Sequence, residues 1–424
     1  MCCGVRCYAH MPSIPAHTAP FQARVDFLVA LATHLHTCGT TAQRLEGAVL
    51  GVARRLKVEC EPWSNPTGMI LSFRDPSQAS PLTETRVVRL SPGDTDLYRL
   101  SETDRIAEDV INGRIAPKEG YEALRALDAR RKPPRFWVEA ASFGLISLAI
   151  AAVLRLPWLD IATAGVAGML IGAWMSYSGR RSVLKESSEA MAGILAAMVA
   201  ILVAAFVAPL NLNTVIIASL VVLLPGMSFT NAINELTSQH LVSGTARFAG
   251  ALTLILKLTI GVMIALACAD ALNIDPQIRY ARPQADWVEG AGLLLAAGTF
   301  AVVFRADRRD YPVVMLSAMT GYLISRFVGQ AGNGVAGTFL AAFAMTAIGN
   351  AYARHFNRPG AIVRLPGIIM LVPGSASLRG LMTMVQEQNV SAGQAALLAV
   401  LNILGALVAG LLFGNLVISA RRNL

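Results

Sequence analysis

The sequence is poor in charge for its length. Only 15% of its 424 residues are charged and 54% are hydrophobic, whereas about a quarter of the residues of a typical soluble protein are charged. The basic residues are unevenly placed, because 18 of the 36 Lys and Arg residues precede Phe136. In such a chain a net charge of +9 mainly marks loops at a membrane face. We therefore expect no nucleic-acid partner.

Features of secreted proteins, metalloproteins and enzymes are also missing. The six cysteines show no paired spacing and no long apolar stretch opens the chain, so we expect residues 1–20 to be a disordered tail and the cysteines to stay reduced. His34 and Cys38 would share a helix face while His36 would point elsewhere, so we expect neither a metal nor a cofactor. No nucleophile–base pair or phosphate loop indicates an enzyme.

Long apolar runs begin at residue 136 and continue almost to the C-terminus. Each is close to the ~20 residues that a helix needs to cross a bilayer. The pattern predicts an α-helical polytopic membrane protein with a lipid bilayer around it. We count about ten spans, at residues 137–154, 160–178, 191–208, 213–226, 245–268, 288–304, 312–328, 334–352, 361–373 and 392–418.

Residues 21–135 predict a small α+β domain. Apolar residues at helical spacing indicate one helix before Gly39 and another after it, and Thr40 with Gln43 forms a capping-box pattern for the second. Three short β-like pieces and two more helices follow, at residues 58–61, 69–73, 86–90, 96–112 and 117–129. We expect this domain in the cytosol, where cysteines stay reduced.

Two segments of the apolar part share an unusual pattern. VVLLPGMSFTNAINE (residues 221–235) and IMLVPGSASLRGL (residues 369–381) each run from an apolar helix through Pro-Gly into a polar helix, and Gly226 and Gly374 are 148 positions apart. Proline removes a backbone donor and glycine permits an unusual turn, so each helix should break there. Paired breaks are the best sequence pointer to a transporter site, although Pro-Gly can also end a span at the membrane surface.

The site predicted at the breaks offers groups for both ends of a zwitterion. Helix N-termini attract a carboxylate, Arg379 could bind it with two hydrogen bonds, and Glu235 is the best acceptor for an ammonium group. Lys257 and Arg247 are candidate coupling or substrate residues; Lys257 could pair with Glu235 or extend to the interface, and Arg247 could be an anchor. The predicted substrate-binding residues are Pro225, Gly226, Ser228, Asn231, Glu235, Pro373, Gly374, Ser375, Ser377 and Arg379.

Each break lies at the fourth of five predicted spans, which indicates two repeats, at residues 136–270 and 287–420. A tandem copy with an odd number of spans must lie upside down in the bilayer, as in secondary transporters built from inverted repeats. Arg and Lys cluster before the first span and after the second, sixth, eighth and tenth. This positive-inside pattern predicts that both termini are cytoplasmic.

Several stretches resemble the threonine/serine exporter family. They are CGTTAQRLEGAVLGVARRLKV (residues 38–58), INGRIAPKEGYEALRAL (residues 111–127) and LLPGMSFTNAINELTSQHLVSGTARF (residues 223–248), with a second Val-Pro-Gly at residues 372–374. The resemblance covers residues 25–420. It implies a bacterial inner-membrane exporter of threonine and serine that is driven by the proton-motive force and is not an enzyme.

Two alternatives stay open. Two-polypeptide relatives of the family are linked to dicarboxylate export, so this chain could export dicarboxylates such as succinate, with Lys257, Arg247 and Arg379 holding two carboxylates. A membrane protein that regulates and does not transport is the alternative from another class. Whether the chain forms a homo-oligomer is also open.

Overall fold

The computed structural model describes residues 16–77, 83–129, 136–279, 283–356, 358–372, 374–386 and 390–419. These residues belong to two compact units, one over residues 16–129 and the other over residues 136–419. Most of the predicted N-terminal tail lies outside the described residues, and so does Pro373 of the second break.

The described residues of the first unit form four α-helices and a three-stranded sheet. The strands pair antiparallel in the order β1-β2-β3, and Phe27 and Phe73 are fully buried in the core. The predicted capping box is wrong, because Thr41 rather than Thr40 precedes α2 and its side chain makes no capping hydrogen bond. The elements are α1 (Phe21–Thr37), α2 (Ala42–Arg55), β1 (Glu59–Asn65), β2 (Gly68–Arg74), β3 (Glu84–Arg89), α3 (Leu97–Ile111) and α4 (Pro117–Ala129).

The second unit is built from apolar helices. Among the described residues, nine helical segments are long and apolar enough to cross a membrane, or ten if one bent pair is counted as a single span. This agrees with the prediction of about ten spans. The helices are α5 (Phe136–Val153), α6 (Trp158–Ser178), α7 (Ser182–Lys185), α8 (Ser188–Phe206), α9 (Leu212–Ser219), α10 (Gly226–Thr237), α11 (Leu241–Ala271), α12 (Asp286–Val303), α13 (Tyr311–Ala331), α14 (Gly334–Phe356), α15 (Ala361–Ile369), α16 (Gly374–Gln386) and α17 (Val390–Val417).

The two predicted short spans have a different form from the one expected. The sequence predicted that residues 213–226 and 361–373 are spans that end at the breaks. Instead α9 ends at Ser219, and a 3-10 turn leads through Pro225 into α10, with a bend of 56° between the two parts. An eight-residue helix is only about 12 Å long, so α9 needs α10 to cross a ~30 Å hydrocarbon core. The first break therefore lies within a broken span or a re-entrant loop, and Ala361–Thr383, which includes α15 and most of α16, is a further candidate span.

The helices of the second unit pack in two corresponding sets of pairs. Helix α8 packs on α11 as α14 packs on α17, and α10 packs on α11 as α16 packs on α17. Between the two sets, α10 contacts α17 and α11 contacts α16. Small residues allow these close approaches: a Cβ atom built on Gly193 of α8 would lie 2.4 Å from the Leu258 carbonyl oxygen of α11. Such packing through small residues is typical of membrane helices.

Candidate functional site

The two breaks lie against each other. A Cβ atom built on Gly226 would lie 2.3 Å from Cγ1 of Val372, and one built on Gly374 would lie 3.0 Å from Cβ of Leu224 and 3.5 Å from the Gly226 amide nitrogen. Both positions therefore need a residue without a side chain. The structure thus brings together the two glycines that the sequence places 148 positions apart, and Pro225 is buried beside them.

The first break leaves backbone groups of both signs without partners. The amides of Met227 and Ser228, in the first turn of α10, make no backbone hydrogen bond to a described residue. On the other side of the break, the carbonyls of Val222 and Leu223 accept none from a described residue. Because amide groups at a helix N-terminus attract anions and free carbonyls attract cations, this place suits a molecule that carries both charges.

Polar side chains of the two re-started helices lie near this backbone. Ser228 and Asn231 are half-buried on α10, and neither side chain makes a hydrogen bond to a described residue. The Thr230 hydroxyl donates to the Gly226 carbonyl at 3.2 Å, so it is already used within the helix. On α16, Ser377 is buried and Ser375 is exposed. We infer that Ser228 and Asn231 are the side chains most available to a ligand.

Glu235 is not a lone acid, which corrects the sequence interpretation of its environment. The carboxylate is fully buried and accepts two hydrogen bonds from Arg247, each at 3.0 Å, so that both of its oxygens are engaged. Arg247, predicted as a membrane anchor or a substrate residue, is its partner. Two parallel charge-assisted hydrogen bonds are strong and directional, and the pair joins the last turn of α10 to α11.

The possible pairing of Lys257 with Glu235 is not formed. The Lys257 Nζ donates to the Glu186 carbonyl at 2.8 Å and lies 3.4 Å from a Glu189 carboxylate oxygen, and its side chain is 37% exposed. Helix α11 has 31 residues and is therefore about 46 Å long, which exceeds the bilayer core. The middle of its sequence therefore need not be the middle of the membrane, and Lys257 extends to the start of α8.

Sequence reasoning missed several charged residues of the second unit. Asp160 is fully buried, accepts from the Asn211 amide at 3.1 Å and pairs with Arg279 at 3.2 Å. Asp310, which stands 150 positions later, is also buried and pairs with Arg358. The signal was present, because a charged residue inside or next to an apolar run is expensive and commonly has a functional role.

A repeated motif and two arginines of the second unit also bear on the site. Trp-Val-Glu occurs at residues 137–139 near the start of α5 and again at residues 287–289 near the start of α12, so a repeat with an offset of 150 was visible in the sequence. Arg379 is exposed on α16 and makes no ion pair with a described carboxylate. Arg364 on α15 is buried, and it had not been singled out although it lies in a predicted span.

His34 and His36, the residues considered as metal ligands in the sequence, lie in the first unit and contact other protein groups. There His34 Nε2 lies 3.1 Å from an Asp128 carboxylate oxygen, and its Nδ1 lies 3.2 Å from the Arg99 guanidinium. Burial lowers the pKa of His34 and the Asp128 charge opposes this shift. The His36 ring contacts the Asn65 carbonyl at 3.1 Å. Among the described residues, no group of three or more His, Cys, Asp or Glu side chains could hold a metal ion.

Comparison with known proteins points to a single family. A protein of Mycobacterium tuberculosis named "Probable threonine/serine exporter" is 24% identical over 412 residues, which cover 94% of this chain and 77% of that protein. An uncharacterised Schizosaccharomyces pombe protein is 26% identical over 392 residues (88% of this chain, 46% of that protein). Pheromone-regulated membrane protein 10 of Pichia sorbitophila is 25% identical over 390 residues (89% of this chain, 39% of that protein). This chain thus spans less than half the length of these two fungal relatives.

Family models give the same assignment over most of the chain. A model described as a threonine/serine exporter matches residues 26–269, and a second model described as "Threonine/Serine exporter, ThrE" matches residues 290–417. No solved structure matches significantly. The first match alone covers more than half of the 424 residues and includes the first break. The chain therefore belongs to the threonine/serine exporter family, a family of multi-pass membrane transporters.

Proposed function

We propose that this protein is a secondary-active exporter of threonine and serine in a bacterial inner membrane, driven by the proton-motive force, and that its substrate binds where the two breaks meet. The observation that carries this proposal is the contact between Gly226 and Gly374. Broken helices that meet in this way bring unpaired backbone groups to one place, which in a membrane must face protein or a water-filled cavity.

The backbone at the first break has a group for each end of the substrate. The substrate carboxylate accepts hydrogen bonds from the Met227 and Ser228 amides, which lie at the positive end of the α10 dipole. The substrate ammonium donates to the Val222 and Leu223 carbonyls. This assignment replaces Glu235 as the ammonium acceptor, because Arg247 already occupies both carboxylate oxygens. The Ser228 hydroxyl and the Asn231 amide contact the substrate hydroxyl.

The proposed transport mechanism is alternating access between two inverted repeats. Four landmarks support the repeats: the Trp-Val-Glu motif and the buried acids Asp160 and Asp310 recur after 150 positions, and the break glycines and the Val-Ser start of the last helix recur after 148. The two corresponding sets of helix pairs also match the first half to the second. Inverted repeats with cytoplasmic termini place Asp160 and Asp310 at opposite membrane faces. We propose that the ion pair of Asp160 with Arg279 closes the substrate path at one membrane face and that the pair of Asp310 with Arg358 closes it at the other. The two pairs would open in turn during transport.

The dicarboxylate alternative has less support at the first break. It needs free cations to hold two carboxylates, and Arg247 and Lys257 are engaged with Glu235 and Glu189. Arg364 and Arg379 near the second break pair with no described carboxylate, so succinate is tested beside threonine. A zwitterion needs only one cationic and one anionic contact, and backbone groups can provide both. The contacts at the first break therefore favour an amino acid over succinate.

Counterflow into liposomes tests the function. The purified full chain is reconstituted with unlabelled threonine inside, and uptake of labelled threonine, serine and succinate is measured against protein-free liposomes. We expect uptake of threonine and serine, and an imposed pH gradient should change their accumulation. Uptake of succinate alone would establish the dicarboxylate alternative, and no uptake of any of the three would support a protein that does not transport them.

A further inference from the structure

Arg364 occupies a buried position in the second repeat. It is only 6% exposed and lies in the first half of α15, which packs on α13 and α14. These contacts are close: a Cβ atom built on Gly349 of α14 would lie 3.4 Å from Cβ of Arg364, and one built on Gly321 of α13 would lie 1.9 Å from the Gly367 carbonyl oxygen. The Arg364 side chain therefore starts between helices and does not face lipid.

Arg364 has no charge partner among the described residues, with which it makes neither a hydrogen bond nor an ion pair. The acids of the neighbouring helices are engaged elsewhere. Asp310, at the start of α13, pairs with Arg358. Glu289 accepts from Tyr322 at 2.8 Å and pairs with Arg326. The Arg364 guanidinium is thus a cation in the packed interior of this region that no described carboxylate neutralises.

The position makes this charge more costly. Arg364 is the fourth residue of α15, so it lies near the positive end of the helix dipole, where an anion is stabilised and a cation is not. Arginine is costly inside a membrane helix, and such residues commonly mark a ligand path. An anion between the α15 N-terminus and the guanidinium would relieve both effects.

The first repeat shows that the fold itself does not require an arginine here. Ile216 of α9 precedes Gly226 by ten positions, as Arg364 precedes Gly374. Ile216 is 0% exposed, so the corresponding place of the first repeat is filled by an apolar side chain. The arginine is therefore a feature of the second repeat alone, which points to a ligand rather than to packing.

We propose that Arg364 is a carboxylate-binding subsite on the transport path; this inference rests on the function proposed above. Its planar guanidinium binds a carboxylate through two parallel hydrogen bonds. Arg364 lies on α15, before the second break, whereas the central site is formed by the amides of α10 after the first break, so we treat the two as distinct sites. The substrate carboxylate occupies it before or after it occupies the central site.

Thermal unfolding of the full chain in detergent micelles tests the subsite. Threonine and threoninamide, which lacks the carboxylate, are titrated against the wild type, R364Q, R364K and the control R354Q. Arg354 is a suitable control because it is exposed and donates only to Ser419. We expect R364Q to weaken threonine binding by roughly 10- to 100-fold, as for loss of a hydrogen bond to a charged group, with threoninamide binding unchanged.

The comparison of acid with amide separates a ligand contact from a structural role. R364K keeps the charge and should fall between R364Q and the wild type, and it serves alone if R364Q does not fold. An unchanged ratio of threonine to threoninamide affinity in the folded variants would overturn the inference, and so would stabilisation by chloride to the same extent as by threonine. If the wild type binds threonine through Arg364 but shows no counterflow, the transport proposal fails and the subsite stands.

Discussion

The two breaks share the Pro-Gly sequence but have different charges around them. Next to the first break, the acid Glu235 is neutralised by Arg247. Near the second break stand two arginines, the buried Arg364 and the exposed Arg379, and neither pairs with a described carboxylate. The comparison indicates that the two halves of the membrane unit have different roles. We infer that the first repeat holds its helices together by an internal ion pair, whereas the second offers cationic groups to an anion.

The largest effect is expected from Glu235→Gln. Removal of one partner leaves the half-buried Arg247 uncompensated, and loss of one partner of a buried pair typically costs about 3–5 kcal/mol, so we expect a large loss of stability and loss of threonine counterflow. The double variant E235Q/R247M removes both charges and should regain most of the stability in thermal unfolding. Normal counterflow by E235Q would show that this pair is not needed for transport and would remove the proposed difference between the repeats.

Gly226→Ala should have the next largest effect. Its new methyl group meets Val372 at 2.3 Å, and such overpacking costs about 1–3 kcal/mol. We expect a clear loss of counterflow, a smaller loss for Gly374→Ala, and partial rescue of the former by Val372→Ala. Gly250→Ala, in α11, has no atom within 4 Å of the added Cβ and is the matched control. Equal counterflow by the Gly226 and Gly250 variants would contradict the close contact of the breaks.

Arg364→Met should move stability in the opposite direction from Glu235→Gln. Because it removes a buried charge that has no described partner, we expect a gain of roughly 0.5–2 kcal/mol, the usual size for relief of an unfavourable functional residue. Unfolding without substrate measures the gain, and counterflow by the same variant should be weaker. A loss of stability similar to that of E235Q would mean that the two repeats do not differ in this way.

Lys257→Met should have the smallest effect. The Lys257 amine is more than a third exposed and pairs with Glu189 at 3.4 Å, and partly exposed pairs contribute at most about 1 kcal/mol. We expect near-normal stability and counterflow within about fivefold, the rate change that about 1 kcal/mol produces. Loss of transport in this variant, with normal insertion, would restore Lys257 as a coupling residue and place a second essential charge in the first repeat.

The sequence was sufficient for the helices and the breaks, and insufficient for the ion pairs. Span positions follow from apolar length alone, and Pro225-Gly226 indicates its own break through the chemistry of the backbone. The partner of Glu235 depends on how α10 folds back on α11, and hydropathy does not contain that geometry. The partner of Lys257 depends likewise on how the 31-residue α11 packs on α8.

Two signals in the sequence improve the site prediction. The recurrence of Trp-Val-Glu and of an Asp after 150 positions supports the proposed repeats and indicates which positions would correspond. Aligning the halves on the break glycines places Arg364 opposite Ile216, and this contrast singles out the arginine from the amino-acid sequence alone. Its burial and its lack of a described partner, in contrast, depend on the three-dimensional packing, because several nearby arginines have acids to pair with.

The account depends most on the claim that substrate binds between the two breaks. Protection of a cysteine from labelling measures this directly: Ser228→Cys is introduced into a transport-active chain whose six cysteines are replaced by serine, and its reaction with a maleimide is followed with and without threonine. Thr237→Cys, exposed at the far end of the same helix, is the control. Threonine should slow labelling at position 228 and leave position 237 unchanged. Equal labelling rates at position 228 under saturating threonine would contradict the claim.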